Sequence, residues 1–336
     1  MNSIQRVLDT VAFKKTDRVP VIAQMGGHSA LISGYSLMEY VQSGDIAAKS
    51  QINALKKYGY DAVFAIFDTC VETEAAGSTI RYKEGIYPCV LKYVLNENSD
   101  FNSLVVPNPY KDGRMPEMLK CVKNLRDEVG NDTVVVGTAI GPMTVATQLL
   151  GMQETLYLAI DHPDKFEKLL NYASQIVMRF AKAQLSEGAH TIVVFDPSSS
   201  QTVVPPQFYR EFILPIHQNV FSTLKKAGAA ANWIHSAGNI TDILKYYKES
   251  DIDIVNFDWE MDPEAVKERI PDICVDGNIK PLEFVESTPQ VIYDRAKELL
   301  NTFEDRGGFI LSSGCEIPPE AKPENISALM DAVKGK

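Results

Sequence analysis

Eight short β-rich runs, each separated from the next by a stretch long enough for a helix, set the strongest limit on what this chain can fold into. They are VPVIAQM (19–25), DAVFAIFD (61–68), TVVVGTAI (133–140), HTIVVFD (190–196), AANWIH (230–235), DIVNFD (253–258), DICVDGN (272–278) and GFILSSGC (308–315). Their apolar residues run continuously rather than alternating, the pattern of strands covered on both faces, as in a parallel sheet flanked by helices. Eight βα units with no proline-rich or Gly/Ser linker predict one (β/α)8 TIM barrel spanning residues 1–336 rather than an open doubly wound sheet. No G-x-G-x-x-G follows an early strand and no G-x-x-x-x-G-K-[ST] occurs, so the dinucleotide and P-loop motifs are missing.

Local signals refine this frame. Asp262-Pro263 and Thr288-Pro289 each place a capping residue before a proline at the first helical position. Residues 154–185 are expected as the longest helix. STIRYKEGIYPCVLKYVL (78–95) predicts a β-hairpin inserted after strand two, turning at Glu84-Gly85 and forming a lid or rim over one barrel end.

A net charge of -11, with no basic stripe, argues against a nucleic-acid partner, which needs cations to displace phosphate counterions. No run approaches the ~20 apolar residues of a membrane span, and MNSIQRVLDTVAFKK is too polar for a signal peptide, so a cytoplasmic location is expected. Five cysteines without C-x-x-C spacing give neither a disulfide framework nor a zinc ribbon. The sequence leaves the choice between monomer and homo-oligomer open.

In a barrel of this kind chemistry gathers at the carboxyl ends of the strands. Here those ends are polar: Asp68 with Glu72 and Glu74, then Asp196, His235, Asp258, Asp276 with Asn278, and Cys315 with Glu316. Any single aspartate after a strand can cap the next helix, so the convergence carries the inference. His28, in MGGHSA after the first strand, is a candidate substrate contact, with Glu74, Asp258 and Asn278. His162, His190 and His217 read as structural. His235 and Cys315 offer a nitrogen and a thiolate suited to zinc, whose catalytic sites take about three protein ligands.

The series RVLDTVAFKKTDRVPV, YGYDAVFAIFD, ETEAAG, GTAIGPMTVA, NWIHSAGNITDIL, VDGNIKP and LSSGCEIPPEAKPENI resembles the uroporphyrinogen decarboxylase superfamily, which includes corrinoid-dependent methyltransferases. The resemblance covers nearly the whole chain and implies a (β/α)8 barrel. Its decarboxylase branch holds a polycarboxylate with arginines after strand one, where this chain has AQMGGHSA; Asp68 matches that branch's pyrrole-binding aspartate. Its methyltransferase branch carries a His-x-Cys…Cys zinc motif, matched here by His235 and Cys315 but with Ala237 in the middle position.

The resemblance implies zinc on His235 and Cys315, completed by a carboxylate from Asp196, Asp258 or Glu316, with Glu316 preferred. It also implies a cobamide carried by a separate corrinoid protein, because no D-x-H-x-x-G signature is present. The expected reaction moves methyl from a small methylated or methoxylated substrate to cobalt, with His235, Asp68 and Asp196 as catalytic residues. Phe64, Phe67, Tyr82, Tyr87 and Trp233 are candidates for an apolar wall. The alternatives are decarboxylation of a tetrapyrrole and a non-catalytic tetrapyrrole-binding barrel.

Overall fold

A computed structural model describes residues 1–96 and 98–334. Its strands are β1 (Ala62–Ala65), β2 (Thr79–Lys83), β3 (Ile86–Lys92), β4 (Val134–Ile140), β5 (Thr191–Phe195), β6 (Asn232–His235), β7 (Ile254–Asn256), β8 (Cys274–Ile279) and β9 (Phe309–Ser313). Seven of them form one parallel sheet in the order β1-β4-β5-β6-β7-β8-β9, while β2 and β3 pair antiparallel as the expected hairpin. Gly85, at φ +73°, takes the left-handed turn position at the hairpin tip.

The first expected strand contributes an extended stave instead of a full ladder. Val21 bridges Leu311 of β9, and on the other side the Asp61 amide donates to the Val21 carbonyl at 2.8 Å. Two features explain the missing ladder. Pro20 has no N–H to give, and the Val21 N–H is taken by the Asp61 carboxylate at 2.8 Å. Asp61 also accepts from Arg6 at 2.6 Å, Arg18 at 2.7 Å and Ser3 at 2.8 Å, so one buried carboxylate ties the amino-terminal segment to the barrel floor.

Along each strand side chains alternate between two apolar faces. Val63, Val135, Val194, Ile234 and Val255 join the core shared with the outer helices. Phe64, Val136, Val193, Trp233, Ile254 and Ile310 fill the barrel interior, with Val7 of the helix Ser3–Val11 packed beneath them. Two-sided burial is why the runs read as continuously apolar.

Two local expectations are modified, one at a helix boundary and one at a cap. The long helix is broken into Met152–Asp161 and Pro163–Ser186, because Pro163 cannot continue the first and His162 takes an extended-like φ of -143° between them. Asp262 caps its helix by accepting from Glu264 N at 3.2 Å, whereas Thr288 occupies the cap position without a side-chain bond. No helix among the described residues is long and apolar enough to cross a membrane.

Candidate functional site

A cavity of about 240 Å³ lies at the carboxyl ends of the strands. Gln24–Gly26 of the first stave, Phe64 and Ile66, Asp68-Thr69, Thr138 and Ile140 of β4, Phe195 of β5, and Cys315-Glu316 after β9 surround it, with Tyr87 reaching in from the hairpin. The hairpin therefore forms part of the rim. Of the other expected wall residues, Phe67 packs outside the barrel against Tyr40 at 6.3 Å, Trp233 lies in the barrel interior, and Tyr82 covers Arg114 at 5.2 Å.

Glu316 is held by three donors. The Tyr87 hydroxyl donates to its Oε1, as do the amides of Gly26 at 3.0 Å and Gly27 at 3.4 Å. A Cβ on Gly26 would stand 2.7 Å from that oxygen and 2.8 Å from the Tyr87 hydroxyl. The glycines before His28 thus admit Glu316 to the backbone. Burial nevertheless pushes the Glu316 carboxyl above its usual range.

Asp68 forms an ion pair that the sequence did not reveal. Arg114, from just before the helix Met115–Val129, bonds both Asp68 oxygens, at 2.5 and 3.2 Å, and reaches Glu74 through Nε at 2.6 Å. Tyr82 donates to the other Glu74 oxygen at 2.5 Å. Glu74 is thereby occupied in holding Arg114 and Tyr82. Burial raises the Asp68 carboxyl, opposed by Arg114.

His235 ends β6 with its ring 4.8 Å from Phe195, centroid to centroid. Its Nδ1 is buried without a hydrogen-bond partner among the described residues, and burial lowers the ring to about 3, so the imidazole is neutral and one ring nitrogen carries a lone pair. Cys315 is a free thiol, pushed up to about 11 by burial with Glu316 and Asp258 adding to it. Asp258 is engaged by amides, Gly238 N at 2.9 Å and Glu260 N at 3.2 Å.

A zinc site of the expected kind needs three convergent donors. Among the described residues no three His, Cys, Asp or Glu side chains come together closely enough to hold a metal ion. Ala237 offers none, and Glu316 Oε1 is turned towards Tyr87 and the glycine amides. His235, Cys315 and Glu316 are thus at one barrel end without forming a ligand set.

Three other expected site residues are placed in structural networks. Asp196 accepts from Thr144 N at 2.8 Å, Thr144 Oγ1 at 2.7 Å and His217 Nε2 at 2.9 Å, capping the helix Pro142–Leu150 and anchoring a buried His217–Tyr209 pair. His28 donates from Nδ1 to Pro319 O at 3.1 Å and accepts at Nε2 from Tyr58 at 2.8 Å, leaving no ring nitrogen for a substrate. Asn278 holds the loop after β7 through Asp258 O and Met261 O, both at 3.0 Å, and borders a separate groove beside Trp259.

Beneath the cavity lies a polar layer. Asp276 accepts from Trp233 Nε1 at 2.8 Å, Asn256 Nδ2 at 2.8 Å and Gln24 Nε2 at 3.4 Å, and burial pushes it up to about 7. Glu72, buried beside the cavity, accepts from Ile140 N at 2.8 Å and is pushed up to about 8 by burial. Sequence reasoning passed over Gln24, next to last in the first run, in favour of His28 in the loop beyond it, and Arg114 lies far from any strand.

The profile described as Uroporphyrinogen decarboxylase (URO-D) matches residues 2–335. The chain belongs to the uroporphyrinogen decarboxylase family. Within that family its relatives divide between two activities. A uroporphyrinogen decarboxylase from Carboxydothermus hydrogenoformans is 26% identical over 316 residues, 92% of this chain and 88% of the relative. A methylcobamide:CoM methyltransferase, MtbA, from Methanosarcina mazei is 26% identical over 279 residues, 82% of this chain and 80% of the relative. A solved methyltransferase structure from Methanosarcina mazei superposes with a TM-score of 0.90 at 25% identity, covering 99% of this chain and 98% of that one. This family member thus has the TIM-barrel fold and enzyme ancestry of both groups.

Proposed function

We propose that this family member moves a methyl group between a small methylated substrate held in the cavity and the cobalt of a corrinoid carried by a separate protein that docks over the barrel mouth. One observation carries the choice over decarboxylation: no lysine or arginine lines the cavity among the described residues, and the neighbouring Arg114 is already neutralised by Asp68 and Glu74. A porphyrinogen bearing several carboxylates needs unpaired cations to face them. The cavity, about 240 Å³, also falls below the ~300–1,000 Å³ typical of pockets for drug-sized ligands, let alone a tetrapyrrole. The fold likeness to the solved Methanosarcina mazei methyltransferase, at a TM-score of 0.90, supports the same choice, while the sequence likeness is divided between the two activities.

Methyl transfer is an in-line displacement, so the protein's part is to orient the methyl group and exclude water. Phe64, Ile66, Ile140 and Phe195 supply the apolar wall, and Tyr87 with Glu316 fixes the rim against the first stave. Asp68 acts through Arg114, holding the loop after β1 in place. Asp196 ties the end of β5 to the helix Pro142–Leu150 without entering the cavity. Zinc on His235 and Cys315 is the part of the expectation with an incomplete donor set, and no step is assigned to it.

The test uses purified protein, a reduced corrinoid protein and isotopically labelled methyl donors, following the conversion of cob(I)amide to methylcobamide. Transfer from at least one small donor is expected. Carboxyl loss from uroporphyrinogen, with no methyl transfer from any donor, would reverse the assignment.

A further inference from the structure

The polar atoms around the cavity are unbalanced in kind. Four of the hydrogen-bond donors around it are already committed: the Tyr87 hydroxyl donates to Glu316, the Thr138 hydroxyl to Ala65 O at 2.8 Å, the Gly26 amide to Glu316 at 3.0 Å and the Gly27 amide to Tyr87 at 2.7 Å. Acceptors remain. Gln24, almost fully buried in the cavity wall, has an Oε1 with no partner among the described residues, while its Nε2 lies 3.4 Å from the Asp276 carboxyl. Glu316 and Asp68 add carboxylate oxygen, and Phe64 and Phe195 add ring surface.

The charges point the same way. Arg114 is one cation against Asp68 and Glu74, and Glu316 adds a carboxylate with no lysine or arginine bordering the cavity among the described residues. An anion would meet chiefly acceptors here, with the Thr69 hydroxyl and the Cys315 thiol as the remaining side-chain donors. A compact cation with an apolar shell would meet acceptors and aromatic rings, the combination that recognises methylated onium groups.

We infer that the methyl donor is a small onium cation, a methylated ammonium or sulfonium, held between Gln24 Oε1, the Glu316 and Asp68 carboxylates and the rings of Phe64 and Phe195. This rests on the methyltransferase assignment and narrows its substrate. The chemistry balances without further reactants. The electron pair of the partner's reduced cobalt forms the bond to the methyl carbon, the C–N or C–S bond breaks, and its pair leaves with a neutral amine or thioether. Such a leaving group needs neither a proton nor a Lewis acid, whereas an ether would expel an alkoxide. An onium donor therefore accounts for the incomplete metal donor set beside Ala237.

The test is calorimetric titration of the full chain, without corrinoid, using tetramethylammonium, trimethylsulfonium, choline and 3,3-dimethylbutan-1-ol, the neutral isostere of choline. Choline is expected to bind at least about tenfold tighter than the isostere. In Glu316→Gln, which keeps the side-chain shape, that ratio should fall towards one, and Phe195→Leu should reduce it while leaving the circular dichroism spectrum unchanged. The ammonium and sulfonium probes identify which onium class is preferred. Equal or tighter binding of the isostere, or no onium binding at about 10 mM, overturns the inference. A turnover arm separates the two claims. Onium binding without transfer to a reduced corrinoid protein would sink the methyltransferase assignment but keep the cation site, and transfer from a methoxyarene without onium binding would do the reverse.

Discussion

The hydroxyl of Tyr87, in the inserted hairpin, donates to Glu316, which follows the last barrel strand 229 residues later. The bond fastens the rim of the cavity to the loop that closes the barrel, and the Gly27 amide at 2.7 Å from the same hydroxyl brings in the first stave. Removing the hydroxyl leaves Glu316 with one donor fewer and frees the hairpin at the cavity end. Tyr87→Phe is expected to cost about 1–3 kcal/mol of stability, as for depriving a buried polar group of a partner, and to lower methyl transfer about tenfold. Hydrogen exchange should speed up across residues 79–92, and unchanged exchange there would show that the bond does not hold the rim.

At the opposite end of the barrel, Asp61 is buried with four protein donors, two of them the guanidinium groups of Arg6 and Arg18. Asp61→Ala would leave Arg18 without its carboxylate and Arg6 with Asp17 alone, at 2.8 Å. The expected loss is about 3–5 kcal/mol, read from urea unfolding. Because Asp61 is remote from the cavity, ligand affinity of the folded variant should stay within about twofold. A loss under about 1 kcal/mol would mean that the amino-terminal segment is not anchored through this carboxylate.

Glu72 and Asp276 carry a stability dependence on pH. Their folded values, about 8 and about 7, lie above the ~4 expected of unfolded carboxylates. Between roughly pH 4 and these values the folded chain keeps protons that the unfolded chain has lost. The stabilisation is full below the unfolded value, falls as pH rises, and is gone above the folded value. Glu72→Gln, which keeps an acceptor for Ile140 N, should flatten this fall, by about 1.4 kcal/mol per pH unit at most. Urea midpoints for both proteins at pH 5 and pH 8 check it, and a variant whose midpoint falls as steeply as the wild type removes Glu72 from the account.

The barrel was legible in the sequence because two-sided burial writes apolar runs that need little context. The hairpin was legible because Gly85 marks its turn. The first stave was harder, since its ladder partner is replaced by the side chain of Asp61, which sequence pattern does not display. At the site, strand-end position located Asp68, Cys315 and Glu316 on the cavity wall but did not separate them from Asp196, whose oxygens serve a helix terminus and His217. His28 had the right loop and the wrong direction, pointing to Tyr58 and Pro319. Arg114 and Gln24 were invisible because their importance comes from partners far away in the chain, and no local motif encodes a pairing of that kind.

Ala237 provides the remaining test, because it stands where the family's methyltransferase motif has a thiolate. His235 Nδ1, two residues earlier, is buried without a partner among the described residues, so that nitrogen is not tied up by a protein hydrogen bond. Ala237→Cys would add a thiolate donor to His235 and Cys315, completing a His/Cys/Cys set suited to zinc. Loss of even an indirect supporting group at a zinc site changes affinity by about 10–100-fold, so a direct donor should raise zinc affinity at least about tenfold. Competition with a chromophoric chelator measures this, and His235→Ala in the same background should remove the gain. If zinc affinity is unchanged by Ala237→Cys, the side chain at 237 does not face His235 and Cys315, and these two residues are not the remnant of a metal site.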